Sequence, residues 1–84
     1  MKPYIFMIDV THSTDGDWMV FAHRSDGSCE LVSTHWFAFV ANRRALRLAK
    51  EAYEVQGPSL RLEANLYNTA RIVYGQDPRA RRTS

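Results

Sequence analysis

The sequence has a single cysteine and no long hydrophobic run. The first feature excludes a disulfide-stabilised domain, and the second excludes a membrane-spanning helix. Cys29 is the only cysteine among 84 residues, so no intramolecular disulfide can form. A small domain without disulfides is typical of a reducing compartment, and we therefore expect a cytoplasmic protein. No stretch approaches the ~20 apolar residues that a membrane-spanning helix requires. The apolar run at the N-terminus ends at Asp9 without the cleavage site of a signal peptide.

The chain is also too short for most enzyme folds. A length of 84 residues excludes a barrel or a doubly wound dinucleotide-binding domain. A hydrophobic content of 45% is ordinary for a globular protein, and there are no internal repeats or low-complexity segments. We expect one small domain over residues 1–75, followed by a flexible basic tail over residues 76–84.

The charge is divided unevenly along the chain. The net charge is only +2, but residues 1–41 carry two basic and five acidic residues, whereas residues 42–84 carry nine basic and four acidic residues. Such a division favours a polar molecule with one side that attracts anions, although two solvated surfaces would give the same count.

Three strands are expected in the first half of the chain. Tyr4–Val10 is short, aromatic and β-branched, which is typical of a strand buried on both faces. Trp18–Arg24 and Cys29–Thr34 are further strands, with turn residues before each of them. Together the three segments predict an antiparallel meander.

The pair Asp26-Gly27 predicts a tight hairpin between the second and third strands. A two-residue loop needs positive φ at its centre, which Asp tolerates and Gly adopts freely. This loop would place Phe21 opposite Val32 and His23 opposite Glu30.

A helix follows the meander. Apolar residues recur at spacings of three and four, at Phe37, Ala41, Ala45, Leu48, Ala52 and Val55. The helix is expected over Arg43–Gln56, and Gly57-Pro58 ends it. Two starts fit the sequence: Ser33 or Thr34 could cap a long helix, or Asn42 could cap a shorter one with residues 35–40 extended.

The segment from Ser59 to Tyr74 is compatible with two structures. A second helix, capped by Ser59 and closed by Gly75, would align Leu62, Leu66, Ala70 and Val73. The alternation of Leu60, Leu62 and Ala64 and the run from Arg71 to Tyr74 instead indicate a pair of strands. We favour the helix and keep the strand pair as the alternative.

Short polar residues after the first strand raise the question of a metal site. Asp9-Val10-Thr11-His12-Ser13 resembles the D-x-T-x-S motif with which von Willebrand A domains hold a divalent cation. That fold is longer and follows the motif with a helix, whereas a hairpin follows here. A cluster of Asp9, Asp15 and Asp17 could bind Mg²⁺ only if the carboxylates converged. A polar loop explains these residues more simply.

Zinc and nucleophilic catalysis are not indicated. His12, His23, Cys29 and His35 lack the close pairing of zinc ligands, and the simplest role for Cys29 is that of a small buried side chain. No base is placed beside Cys29 to activate it as a nucleophile. We expect no catalytic residues, no metal and no cofactor, and therefore no enzyme.

Basic residues lie along one side of the predicted helix. Arg43, Arg47 and Lys50 share a face at spacings of four and three, with Arg44 beside them. This face could contact phosphates together with Arg79, Arg81 and Arg82 of the tail. Alternatively, the face is solvated, with Arg47 paired to Glu51 and Lys50 to Glu54 at i,i+4.

Aromatic residues are abundant, and most are expected in the core. Seven of the ten form the set considered for the core, namely Trp18, Trp36, Phe37, Phe39, Tyr53, Tyr67 and Tyr74. The stretch from His35 to Val40 holds more apolar residues than one buried face can absorb. Burial in the core is the simpler explanation for this stretch, and a protein interface or a homodimer is the alternative.

The sequence therefore predicts an α+β fold, with a three-stranded antiparallel meander packed on a long helix and a second C-terminal helix or strand pair. In size and element order this outline resembles small inhibitors encoded by phages and plasmids, including some anti-CRISPR proteins. The leading hypothesis is a non-catalytic inhibitor or adaptor that occludes a protein partner. Its contact residues would be Trp36, Phe37, Phe39, Arg43, Arg44 and Arg47. The alternative is a nucleic-acid-binding regulator that uses Arg43, Arg44, Arg47, Lys50, Arg79, Arg81 and Arg82.

Overall fold

The computed structural model of the protein describes residues 3–57, 60–69 and 71–75. Within them lie five strands and one helix. In chain order these are β1 (Ile5–His12), β2 (Trp18–Arg24), β3 (Cys29–His35), α1 (Ala38–Gln56), β4 (Leu62–Asn65) and β5 (Ile72–Tyr74). The fold is α+β, as the sequence predicts, but the sheet has five strands rather than three. The basic tail proposed for residues 76–84 lies outside the described residues.

The sheet has the strand order β3-β2-β1-β4-β5. The first three strands form the predicted antiparallel meander. After β3, α1 carries the chain across one face of the sheet, so β4 pairs parallel to β1 on its other side. β5 then returns antiparallel to β4. The central strand β1 is therefore hydrogen-bonded to β2 on one side and to β4 on the other.

The hairpin between β2 and β3 differs from the prediction by one residue. The loop is Ser25-Asp26-Gly27, because the Arg24 N–H donates to the Ser28 carbonyl at 3.0 Å. Gly27 takes the positive φ of +90° that closes such a three-residue loop. His23 consequently faces Cys29, and Phe21 faces Leu31. An irregularity between Val20 and Phe21 then restores the register that a two-residue loop would give.

Small residues join α1 to the sheet. Ala41, Ala45 and Ala49 lie one turn apart on α1 and are fully buried. They pack in one core with the largest fully buried side chains of the sheet, which are Ile8, Val20 and Leu62. Because an alanine extends only one carbon from the helix, α1 can lie close against the sheet.

Most aromatic residues lie outside this core, and the expectation that they would form it is wrong. The buried residues are aliphatic or alanine, and Trp18 and Tyr74 only pack against them. The expectation that the first strand is buried on both faces is also wrong. Ile8 and Val10 face α1, whereas Asp9 between them points to the face that α1 does not cover.

The start of α1 matches neither predicted cap. The N-cap is Phe37, which has no side-chain capping hydrogen bond. Asn42 lies within the helix, and its side chain bonds to the backbone of Tyr67 instead of capping the helix. Its Nδ2 donates to the Tyr67 carbonyl at 3.0 Å, and its Oδ1 accepts from the Tyr67 N–H at 2.8 Å. Ser33 and Thr34 belong to β3.

The end of α1 is as predicted. The helix stops at Gln56, and Gly57 follows with a φ of +99°. The Gly57 N–H donates to the Tyr53 carbonyl at 2.9 Å, which satisfies one of the last carbonyls of the helix.

The second helix favoured for residues 59–74 is not formed, and the strand pair is found instead. In β4, Leu62 and Ala64 are buried while Glu63 and Asn65 are half-buried, which is the two-residue period of a strand. Asn68 has a positive φ of 55°, which a helix excludes. Gly75 ends β5 rather than a helix, and Ser59, the proposed cap, lies outside the described residues.

Candidate protein-binding surface

Three large aromatic side chains are exposed where β3 leads into α1. Trp36, Phe37 and Phe39 are 82%, 59% and 65% exposed, respectively. The rings of Phe37 and Phe39 lie against each other with their centroids 5.8 Å apart. We call these three residues the aromatic patch.

The backbone at the helix entrance explains why the patch faces outward. Phe37 is extended, with φ −124° and ψ 141°, so the helical face begins after it. The buried side of α1 starts at Ala41, and Phe39, two residues earlier, points to the opposite side of the helix. Trp36 precedes the helix and follows the last paired residue of β3, His35.

A cleft lined by arginines adjoins the patch. Its volume is about 170 Å³, and we call it the basic cleft. It is lined by His35, Val40, Arg43, Arg44 and Arg47. Arg43 and Arg47 are exposed and one turn apart, while Arg44 is half-buried between them. The three predicted arginines are therefore brought together beside the predicted aromatic residues.

The cations of the basic cleft lack neutralising partners. Among the described residues, no carboxylate lies within 4.0 Å of Arg43, Arg44 or Arg47. The first turn of α1 also contains no acidic residue. Among the ion pairs of the described residues, the i,i+4 pairs expected for a solvated face, Arg47 with Glu51 and Lys50 with Glu54, are not found. An anionic group brought to this cleft would therefore meet guanidinium groups that have no ion-pair partner among the described residues.

The basic cleft does not include every residue of the alternative nucleic-acid surface. Lys50 is exposed on α1 but does not line the basic cleft. Arg79, Arg81 and Arg82 lie outside the described residues.

A second cleft, with the opposite charge, includes Trp36 of the aromatic patch. It has a volume of about 290 Å³ and is lined by Asp15, Gly16, Asp17 and Trp36. We call it the acidic cleft. Its loop is organised by Ser13, whose hydroxyl accepts from the Asp15 N–H at 2.9 Å and whose own N–H donates to the Asp17 carbonyl at 2.7 Å. The sequence predicts a polar loop here but not its position beside Trp36.

A polar network on the face of the sheet away from α1 was not foreseen from the sequence. Asp9 Oδ2 lies 2.7 Å from His23 Nε2, and Asp9 Oδ1 accepts from Asn65 Nδ2 at 2.7 Å. The three side chains come from β1, β2 and β4, so only the parallel pairing of β4 with β1 brings Asn65 to Asp9. Both carboxylate oxygens are engaged, and the network ties three strands together.

The residues considered for metal binding are dispersed. His12 stacks on Trp18 with ring centroids 4.1 Å apart, and His35 Nε2 lies 2.9 Å from the Ser33 hydroxyl. Cys29 is exposed rather than buried, which corrects the role expected for it. Across residues 3–57, 60–69 and 71–75, no three His, Cys, Asp or Glu side chains are grouped as a metal site would require.

In this same part of the chain, no helix combines the length and apolarity needed to cross a membrane. Comparison of the chain with protein-family models, with curated proteins and with solved structures gave no significant match.

Proposed function

We propose that the protein is a non-catalytic binding protein, an inhibitor or adaptor, that occludes a protein partner with the aromatic patch and the basic cleft. The observation that carries this proposal is the exposure of Trp36, Phe37 and Phe39 on a domain whose core is aliphatic and alanine-rich. Large exposed rings next to arginines are the composition of interface hot spots.

The size of the patch supports a binding role. An aromatic side chain covers about 150–250 Å², so three rings exposed to these fractions present roughly 300–500 Å² of apolar surface. Contiguous apolar patches of this size on a monomer are often functional, because they leave apolar surface in contact with water. The patch does not stabilise the core, so a partner is the simplest reason for its presence.

The basic cleft specifies the chemistry of the partner. Arginine binds carboxylates in a two-point geometry and stacks on flat apolar groups. A partner surface with an apolar centre and acidic side chains at its rim would satisfy both the patch and the three guanidinium groups. Charge complementarity of this kind mainly sets the rate of association and the choice of partner.

Nucleic-acid binding is the alternative, and the unpaired row of Arg43, Arg47 and Lys50 favours it. The acidic cleft argues against it, because Asp15 and Asp17 lie on the other side of Trp36 and would repel a polyphosphate that followed the patch. The protein partner explains the aromatic residues and the cations together, whereas phosphate contacts explain only the cations.

Titration of a captured partner tests the proposal. The protein is immobilised, a partner is captured from cells that encode the chain, and the purified partner is titrated by calorimetry. We expect Trp36→Ser/Phe39→Ser to weaken binding by at least about tenfold, since hot-spot truncations cost about 2 kcal/mol or more and 1.4 kcal/mol corresponds to about tenfold. Val55→Ser is the matched control, because Val55 is 86% exposed on the same helix outside the patch.

The same preparation distinguishes the alternative. Labelled duplex DNA and single-stranded RNA are titrated at two salt concentrations and followed by fluorescence anisotropy. Binding that falls by about 0.9 log unit per log unit of salt for each phosphate contacted, and that Arg43→Ala/Arg47→Ala abolishes, would replace the protein partner with nucleic acid. Equal affinity of the Trp36→Ser/Phe39→Ser and Val55→Ser variants for the captured protein would also overturn the proposal.

A further inference from the structure

The surface around the aromatic patch carries both signs of charge. Trp36 lines the acidic cleft with Asp15 and Asp17, and the preceding residue, His35, lines the basic cleft with the three arginines. Among the described residues, neither the carboxylates of Asp15 and Asp17 nor the guanidinium groups of Arg43, Arg44 and Arg47 have an ion-pair partner. One copy of the chain therefore displays an apolar centre, an unpaired acidic site and an unpaired basic site next to each other.

We infer that this surface binds a second copy of the same chain, in a two-fold dimer that places the acidic cleft of each copy against the basic cleft of the other. A two-fold interface joins the same patch on both subunits, so every contact is made twice. The aromatic patches meet near the axis, and each copy supplies the carboxylates that the other copy's arginines lack. The charges of the two copies are complementary without any other partner.

The available area fits such an interface. The patch contributes roughly 300–500 Å² of apolar surface per copy. A standard interface buries about 800 Å² on each partner, with an apolar core and a polar rim. The two clefts, with volumes of about 170 and 290 Å³, border the patch and supply the rim.

The dimer has a consequence for the partner. This inference goes beyond the proposed function, because it assigns a second occupant to the same surface. The self-associated form holds the aromatic patch out of solvent, and an acidic partner displaces the second copy by competing for the same arginines. Binding of the partner therefore weakens as the concentration of the protein rises into the range where it self-associates.

Charge reversal tests the dimer. Sedimentation velocity of the wild-type protein should give a molar mass near twice the 9.7 kDa of the chain. Asp15→Lys/Asp17→Lys makes both clefts basic, and Arg43→Glu/Arg47→Glu makes both acidic, so each variant alone should be monomeric. An equimolar mixture of the two variants should recover the dimer, because opposite charges then face each other at both contacts. Glu54→Lys, an exposed charge change on α1 outside the clefts, should leave the dimer intact.

Recovery of the dimer by the mixture also shows that both variants are folded. A wild-type protein that stays monomeric throughout the accessible concentration range overturns the inference, and so does a mixture that stays monomeric. Neither result affects the proposed function, which depends on the loss of partner binding in Trp36→Ser/Phe39→Ser. In the converse case, the dimer forms but the captured partner binds Trp36→Ser/Phe39→Ser and Val55→Ser with equal affinity. That result supports the inference and removes the proposed function.

Discussion

The side of α1 that faces the sheet and the entrance to α1 have opposite compositions. On the inside, the helix contacts the sheet through Ala41, Ala45 and Ala49, which are among the smallest side chains available. At the entrance, Trp36, Phe37 and Phe39 lie largely in solvent. A small domain has little apolar surface to spare, since burying one large side chain contributes about 1.5–3 kcal/mol. Nine large hydrophobic side chains are exposed among the described residues, and the three at the entrance to α1 are the ones on which the proposed binding role rests.

The largest effect should come from a charge on the inside of α1. Ala45→Asp places a carboxylate without a partner in a fully buried position, and an uncompensated buried charge costs roughly 3–5 kcal/mol. That is a large fraction of the roughly 5–15 kcal/mol by which native domains are stable. Urea unfolding followed by circular dichroism should show a midpoint far below that of the wild-type protein. Val55→Asp, exposed on the same helix, should keep the wild-type midpoint, and equal losses in both variants would contradict the division between inside and outside.

A smaller effect is expected at the C-terminal end of the helix. Gln56 Oε1 accepts from the Ile5 N–H at 2.6 Å, and Gln56 Nε2 donates to the Ile5 carbonyl at 3.1 Å. Gln56→Ala leaves both backbone groups of Ile5 unpaired in a partly buried place, which should cost about 1–3 kcal/mol. Hydrogen exchange should show that the Ile5 amide loses protection. Glu54→Ala, exposed two residues earlier, serves as the control, and an unchanged exchange rate at Ile5 would show that the contact does not stabilise the fold.

The patch itself should contribute little to stability. Trp36→Ser and Phe39→Ser remove exposed side chains, so each should change the free energy of unfolding by no more than about 0.5 kcal/mol. Chemical denaturation of the two variants beside the wild-type protein measures this directly. A loss of 2 kcal/mol or more, on the order expected for truncation of a core residue, would place these rings in the interior rather than on the binding surface.

The smallest effect should appear in the hairpin far from both regions. The Ser28 hydroxyl donates to Asp26 Oδ1 at 2.6 Å, and the Ser28 N–H does so at 2.9 Å. These hydrogen bonds hold the pKa of the Asp26 carboxyl below its ordinary value. Because the pKa is lower in the folded state, the contribution to stability is present above the unfolded-state pKa and is lost as the pH falls through the folded-state pKa.

Ser28→Ala removes the larger of these two causes. Titration of the Asp26 carboxyl by carbon NMR should show that the pKa rises towards its ordinary value. The acid-dependent part of the loss of stability should shrink with it, while the midpoint of unfolding at neutral pH changes little. A pKa that stays unchanged would show that the hydroxyl hydrogen bond is not formed in solution.

The parts of the fold that depend on residues close together in the sequence could be predicted. Gly57 follows the last residue of α1, and the turn around Asp26 and Gly27 joins β2 to β3, although the loop is one residue longer than predicted. The local sequence pattern gave the wrong secondary structure where pairing with a strand distant in sequence determines it. Leu62–Asn65 is a strand because β1, more than fifty residues earlier, offers its free edge. A spacing of four between Leu62 and Leu66 favoured a helix only when that edge was not considered.

The candidate surface was predictable in composition but not in arrangement. The surplus of apolar residues between His35 and Val40 and the arginine row can be read from their spacing. The proximity of the aromatic residues to the arginines depends on the extended backbone of Phe37. No capping residue in the sequence predicts that conformation. The acidic cleft was missed for the same reason, since the β1–β2 loop reaches Trp36 only because Trp18 pairs with His35.

Site-specific photocrosslinking is the most direct test of the claim that the aromatic patch is a binding surface. The photoreactive amino acid p-benzoylphenylalanine replaces Trp36, which precedes α1, in one variant and Val55, which is exposed near the C-terminal end of α1, in another. Both variants are irradiated in cells that encode the chain. We expect discrete cross-linked protein products from position 36 only, with a product of twice the chain mass where the second copy occupies the patch. The same products from both positions, or no product from position 36, would contradict the account.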